Sequence, residues 1–349
     1  MRADSGCVEA SAGTRRQITA TAAALGASAF VAAWIGGGLG PGRVTLWVDD
    51  AGTPAAAALG LWFCVRARAG QRGRMRLHWS LMSVAMACWM LAETIWGVYA
   101  LILERSVPAP SWADLGYLAA IPFAAAALVV HPGARRHTAH TIRSVLDGLV
   151  VATSLLFISW ALVLGPLWHR TALGTLQGAV TVAYPFGDIV IAFFIVVAIR
   201  GMRGGRTSLW YLLGGLLAMA LSDSVYTYLV EIGRYSSSGA HVIDAGWIAA
   251  YLGIALAGWS SSAPRGAVRR RERSTPPLAS LVLPLVPVLV ALLVTAIQIR
   301  TGHHLDRTTL LLAVALATLV VVRESLLLHE LLRPPPGRPN SSAHEAVAP

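Results

Sequence analysis

Lysine is absent from this 349-residue chain, and all 28 basic residues are arginine. Charge of either sign is scarce, at 13% of residues, against about 25% in soluble domains. With 56% hydrophobic residues and a mean hydropathy of +0.62, a soluble globular class is excluded. Cysteine is nearly missing: Cys7, Cys64 and Cys88 make neither a disulfide framework nor a metal set. Also missing are a phosphate-binding glycine loop, an HExxH zinc helix, a Ser/His/Asp signature and a redox cysteine pair. No enzyme class and no cofactor is therefore indicated. The net charge of +11 does not point to nucleic acid, because most arginines lie in short connectors between apolar runs.

What the chain has instead is apolar runs of about 20 residues, the length that crosses a hydrocarbon core. The fold class predicted is all-α, a polytopic membrane bundle of about ten transmembrane helices. The spans fall near 17–38, 53–68, 77–103, 111–131, 145–166, 178–199, 208–231, 243–261, 279–298 and 308–329. The first is too long for a signal-peptide core and reads as a retained helix. Arginine alternates between the connectors, 22 on one side and 6 on the other once the termini are included. The positive-inside rule then places both termini in the cytoplasm. Residues 1–16 form a cytoplasmic tail, 17–332 the membrane domain, and 333–349 a disordered tail. Pro334-Pro335-Pro336 ends the last helix, with no soluble domain expected after it.

Two stretches match at a shift of 130 residues without a gap. Leu91-Ala92-Glu93-Thr94-Ile95-Trp96 aligns with Leu221-Ser222-Asp223-Ser224-Val225-Tyr226, and Asp114-Leu115-Gly116-Tyr117 with Asp244-Ala245-Gly246-Trp247. The span order makes this a parallel repeat, about 75–131 and 205–261. Repeats occur in transporters and in duplicated sensors, so the repeat does not choose between them.

The acids divide into two kinds. Asp114 in Ser111-Trp112-Ala113-Asp114, Asp147 in Ser144-Val145-Leu146-Asp147, and Asp244 read as helix-start caps. Glu93, Asp188 and Asp223 lie inside spans, where an ionisable group costs about 2.5–3.5 kcal/mol and is usually functional. Interhelical hydrogen bonding is their structural alternative. No Arg or His occupies the middle of a span, which leaves simple intramembrane ion pairs without a partner. Trp96 and Tyr226 follow Glu93 and Asp223 at i+3, and Tyr184-Pro185-Phe186-Gly187-Asp188 suggests a kink in mid-membrane. The expected site is one outer-half cavity lined by Glu93, Trp96, Asp114, Tyr184, Asp188, Asp223, Tyr226, Asp244 and Trp247. Acids with aromatics suit a small cationic ligand or protons. His131, His137 and His140 are expected in a solvated connector, as are His303 and His304.

Pro110-Ser111-Trp112-Ala113-Asp114-Leu115-Gly116-Tyr117-Leu118, Leu146-Asp147-Gly148, Ala183-Tyr184-Pro185-Phe186-Gly187-Asp188 and Asp244-Ala245-Gly246-Trp247 occur in that order. Together they resemble a bacterial, actinobacterial-type membrane sensor domain found in front of GGDEF and EAL domains, which make or degrade cyclic di-GMP. The resemblance covers about 75–265 and extends loosely to the flanking helices. Val322-Arg323-Glu324-Ser325-Leu326 is similar to the segment leading into the family's cytoplasmic linker, and the match stops at Pro334. The resemblance implies a sensory role in the plasma membrane without enzymatic output of its own, a cytoplasmic GGDEF/EAL partner, and room for a homodimer. A small-solute or proton-coupled transporter is the alternative.

Overall fold

Inside a bilayer an apolar run has no water to satisfy its backbone, so each run closes its own hydrogen bonds as a helix. The computed structural model describes residues 2–108, 110–131, 138–165, 176–201, 207–235, 239–262, 283–301 and 306–332. Their regular structure is entirely helical: α1 (Arg2–Gly36), α2 (Gly42–Asp50), α3 (Gly52–Ala69), α4 (Gly73–Gly97), α5 (Trp112–Val130) and α6 (Thr138–Ser159) come first. They are followed by α7 (Leu176–Gly201), α8 (Thr207–Glu231), α9 (Asp244–Ser262), α10 (Val286–Arg300) and α11 (Arg307–Leu332). Single π-helical stretches extend α4 over Val98–Ile102 and α6 over Trp160–Leu164.

Each of the ten expected spans corresponds to one helix of fifteen residues or more. Seven of these helices, α1, α4 to α8 and α11, are long and apolar enough to cross a membrane. The chain is a multi-pass membrane protein on that basis. Three details differ from expectation. Helix α1 reaches back to Arg2, through what reads as a tail. A short helix, α2, occupies an expected connector and carries Asp49 and Asp50 at its end. Helix α7 runs unbroken through Pro185. The tail 333–349, His137, His303, His304 and the arginine-rich connector 263–282 lie outside the described residues.

Packing arranges six helices in a closed ring: α3 on α4, α4 on α5, α5 on α7, α7 on α8, α8 on α9, and α9 back on α3. Helix α1 leans on α9 from outside, and α6 joins α10 and α11 to α7. At the end of the ring near the arginine-bearing 66–76 connector the interior is dry, filled by Trp79, Met82, Met86, Leu212 and Ile254. Trp79 Nε1 donates to Ser261 Oγ at 3.1 Å, tying α4 to α9 there. Large apolar residues on α10 and α11, among them Leu289, Leu292, Leu311 and Val314, stay exposed, as lipid-facing surfaces do.

Glycine permits the closest approaches. A Cβ on Gly116 would sit 2.8 Å from Cys88 O and 2.9 Å from Ala92 Cβ, so α5 packs directly on α4. On Gly246 it would sit 2.0 Å from Ser222 Oγ, where α9 meets α8. These are corresponding positions at the shift of 130.

Two sequence readings are corrected. Asp147 is no cap: α6 begins at Thr138, more than two turns earlier, and Asp147 is fully buried. Its Oδ1 accepts from Arg323 Nε of α11 at 2.7 Å, and Arg323, itself 1% exposed, also contacts Glu324. An intramembrane ion pair therefore exists; it forms near span ends rather than at mid-span, where a search for a central cation could not find it. His131 is buried rather than solvated, with its ring edge-on to His78 at 4.8 Å. His78 Nδ1 in turn contacts Ala127 O at 2.7 Å.

Candidate functional site

The end of the ring opposite the dry core holds a cavity of about 340 Å³. It is bordered by the start of α5, the segment before α9 and the end of α2. All nine sequence-predicted residues line it: Glu93, Trp96, Asp114, Tyr184, Asp188, Asp223, Tyr226, Asp244 and Trp247.

Helix geometry brings Glu93 and Asp223 to this space with neutral donors. Glu93 of α4 accepts from Tyr251 of α9 at 2.7 Å, with Tyr117 and Thr53 also in hydrogen-bonding reach. Asp223, the corresponding residue of α8, accepts from Trp247 Nε1 at 2.7 Å. Tyr117 and Trp247 are themselves related by the shift of 130, so acid and aromatic donor recur as a unit. The carboxyl of Asp188 lies within hydrogen-bonding reach of that of Asp223. Asp188 Oδ2 is shut off from solvent, with no donor bonded to it among the described residues.

The outer acids combine the two readings weighed for them. Asp114 completes a capping box: it accepts from Ser111 N at 2.6 Å while Ser111 Oγ caps the helix. Its other oxygen accepts from Tyr184 OH at 2.5 Å, across from α7. Asp244 opens α9, accepting from His241 N at 2.8 Å and Tyr235 OH at 3.3 Å. Capping orients both carboxylates at the cavity rim.

Sequence reasoning missed Asp49, Asp50, Thr53, Tyr235 and Tyr251 as lining residues. Tyr251 carried a readable signal, standing at i+4 from Trp247 on the same face of α9. Asp49 and Asp50 did not, because nothing local shows that α2 folds back over the ring. Asp49 is buried with its carboxyl in reach of that of Asp244. Burial first, and the Asp244 charge second, push both Asp49 and Asp50 above the usual carboxylate range, Asp50 to about 7.

Aromatic rings fill the wall between the acids. Tyr226 stands 4.7 Å from Tyr235, 5.7 Å from Trp247 and 6.4 Å from Trp96, all edge-on. Seven carboxyl groups line the cavity and, among the described residues, no basic side chain does. Tyr, Trp, Ser and Thr hold the carboxyls in place without neutralising them. Such a site can bind a cation or exchange protons. Among the described residues no group of three or more His, Cys, Asp or Glu could hold a metal ion. No family model, no curated protein and no solved structure matches the chain.

Proposed function

We propose that the chain is a membrane receptor of the signalling-input type, which captures a small organic cation in the ring cavity and reports it to the cytoplasm. The observation that carries this reading is the charge imbalance: seven carboxyls converge on one space and, among the described residues, no basic side chain lines it. A cation with an apolar body would neutralise the acids and stack on the aromatic wall, each contact stronger for being desolvated. In this reading the arginine-poor end faces out, so the cavity opens to the extracytoplasmic side of a bacterial plasma membrane. The dry core below it suits a dead-end receptor pocket better than a conduit.

A transmission route goes with the reading. Asp188 lies on α7, α7 packs on α6, and α6 is fastened to α11 by Asp147 and Arg323. Ligand contact at Asp188 would bias the α6–α11 pair and move the segment Arg323–Leu332. The partner proposed there is a GGDEF or EAL protein, in line with the motif resemblance. The repeat of α4–α5 as α8–α9 would supply two similar half-sites facing one ligand.

Proton-coupled transport is the second reading, and the Asp188–Asp223 contact favours it. Two carboxylates that close are stable only with a proton or a cation between them, which is the exchange an antiporter uses. Liposome flux decides between them. Amine binding without amine or proton flux supports the receptor; flux abolished by Asp188→Asn and Asp223→Asn supports transport and refutes the receptor.

A further inference from the structure

Five of the seven cavity acids form two groups, with Glu93 and Asp114 outside both. The outer group is Asp49, Asp50 and Asp244, where α2 meets the start of α9. The inner group is Asp188 and Asp223, on α7 and α8. Each group contains two carboxyls in hydrogen-bonding reach of each other. Trp247 fixes the distance between them: it lies one turn below Asp244 and its indole reaches Asp223. The two groups are thus one to two helical turns apart, roughly 5–10 Å. Tyr226 stands between them, ringed by other aromatic side chains.

A single ammonium, however well placed, neutralises one group and leaves the close carboxyls of the other to share a proton. A compact metal ion has the same defect. A linear chain with an ammonium at each end satisfies both, and its methylenes lie against aromatic faces that would otherwise contact water. The buried Asp188 Oδ2, unpartnered among the described residues, marks the inner end as an acceptor waiting for a donor. From this spacing we infer that the ligand class is a linear aliphatic diamine or polyamine, held with one ammonium at the outer carboxyls and another at the inner pair. This rests on the proposed cation-binding role of the cavity and adds the requirement for two charges at a set separation.

Isothermal titration of the full chain in lipid nanodiscs tests it, using butylamine, the terminal diamine of the same carbon count, and diamines of increasing length. The expected result is a diamine affinity about tenfold or more above that of butylamine, with an optimum at intermediate length. In Asp49→Asn/Asp244→Asn the advantage of the diamine disappears. Equal affinity for butylamine and all diamines overturns the two-point inference while leaving a one-cation cavity standing. No binding of any amine overturns the cavity reading itself. The length series uses the unaltered chain, so the inference is decided even if the double variant does not fold.

Discussion

At the scale of single residues, the fold holds Glu93, Asp114, Asp223 and Asp244 with neutral hydrogen-bond donors. Glu93 has three, so losing one is tolerated: Tyr251→Phe costs about 1–2 kcal/mol of stability, read by denaturant melts in micelles. Asp50 gives the site a pH dependence whose sign can be worked out. Its folded-state pKa of about 7 lies above the usual carboxylate value of about 4. The folded protein therefore holds a proton there that the unfolded chain has released. The associated stability is fully present below about pH 4 and is lost as pH rises through about 7. The empty protein should melt at lower temperature at about pH 8 than at about pH 6. Cation affinity should run the opposite way, rising over the same interval as Asp50 ionises. Melting curves with and without an amine at both pH values check the two signs together.

Elements are held by close helix approach and by the buried Asp147–Arg323 ion pair, and each makes a distinct prediction. Gly116→Ala forces a methyl against Cys88 O and Ala92 and should destabilise by about 1–3 kcal/mol. Gly246→Ala meets mainly Ser222 Oγ, with Ser222 Cβ at 3.4 Å, so Ser222→Ala should rescue it. No comparable partner change rescues Gly116→Ala, because half of its obstacle is backbone; thermal melts of the four variants test this contrast. Arg323→Ala removes the ion-pair partner of the buried Asp147 and should cost about 3–5 kcal/mol, whereas replacing both by apolar residues costs far less. Much of this level was legible from sequence. The ten long helices follow from apolar length alone, and the in-register acids Glu93 and Asp223 were readable as a pair that lines one cavity. Two features stayed hidden for a stated reason. Helix α2 is nine residues long, too short to cross a membrane, and its position depends on the ring beneath it. Arg323 and Asp147, 176 residues apart, become a pair only once α6 and α11 pack.

For the whole molecule, the six-helix ring divides into a dry half and an acid-lined half, with α6, α10 and α11 attached to one side. This division is what turns a set of buried acids into a site. The dry half keeps the ring closed, while the other half keeps seven carboxyls with no basic side chain lining the space among the described residues. The central claim is that this cavity binds an organic cation through Asp188 and Asp223. Equilibrium dialysis of a labelled primary amine against the full chain in nanodiscs at about pH 8, with and without Asp188→Asn/Asp223→Asn, tests it most directly. Saturable one-site binding is expected, weakening at least about tenfold in the double variant while the variant's melting temperature is retained or raised. Binding that is absent from the unaltered chain, or undiminished in the double variant, would contradict it.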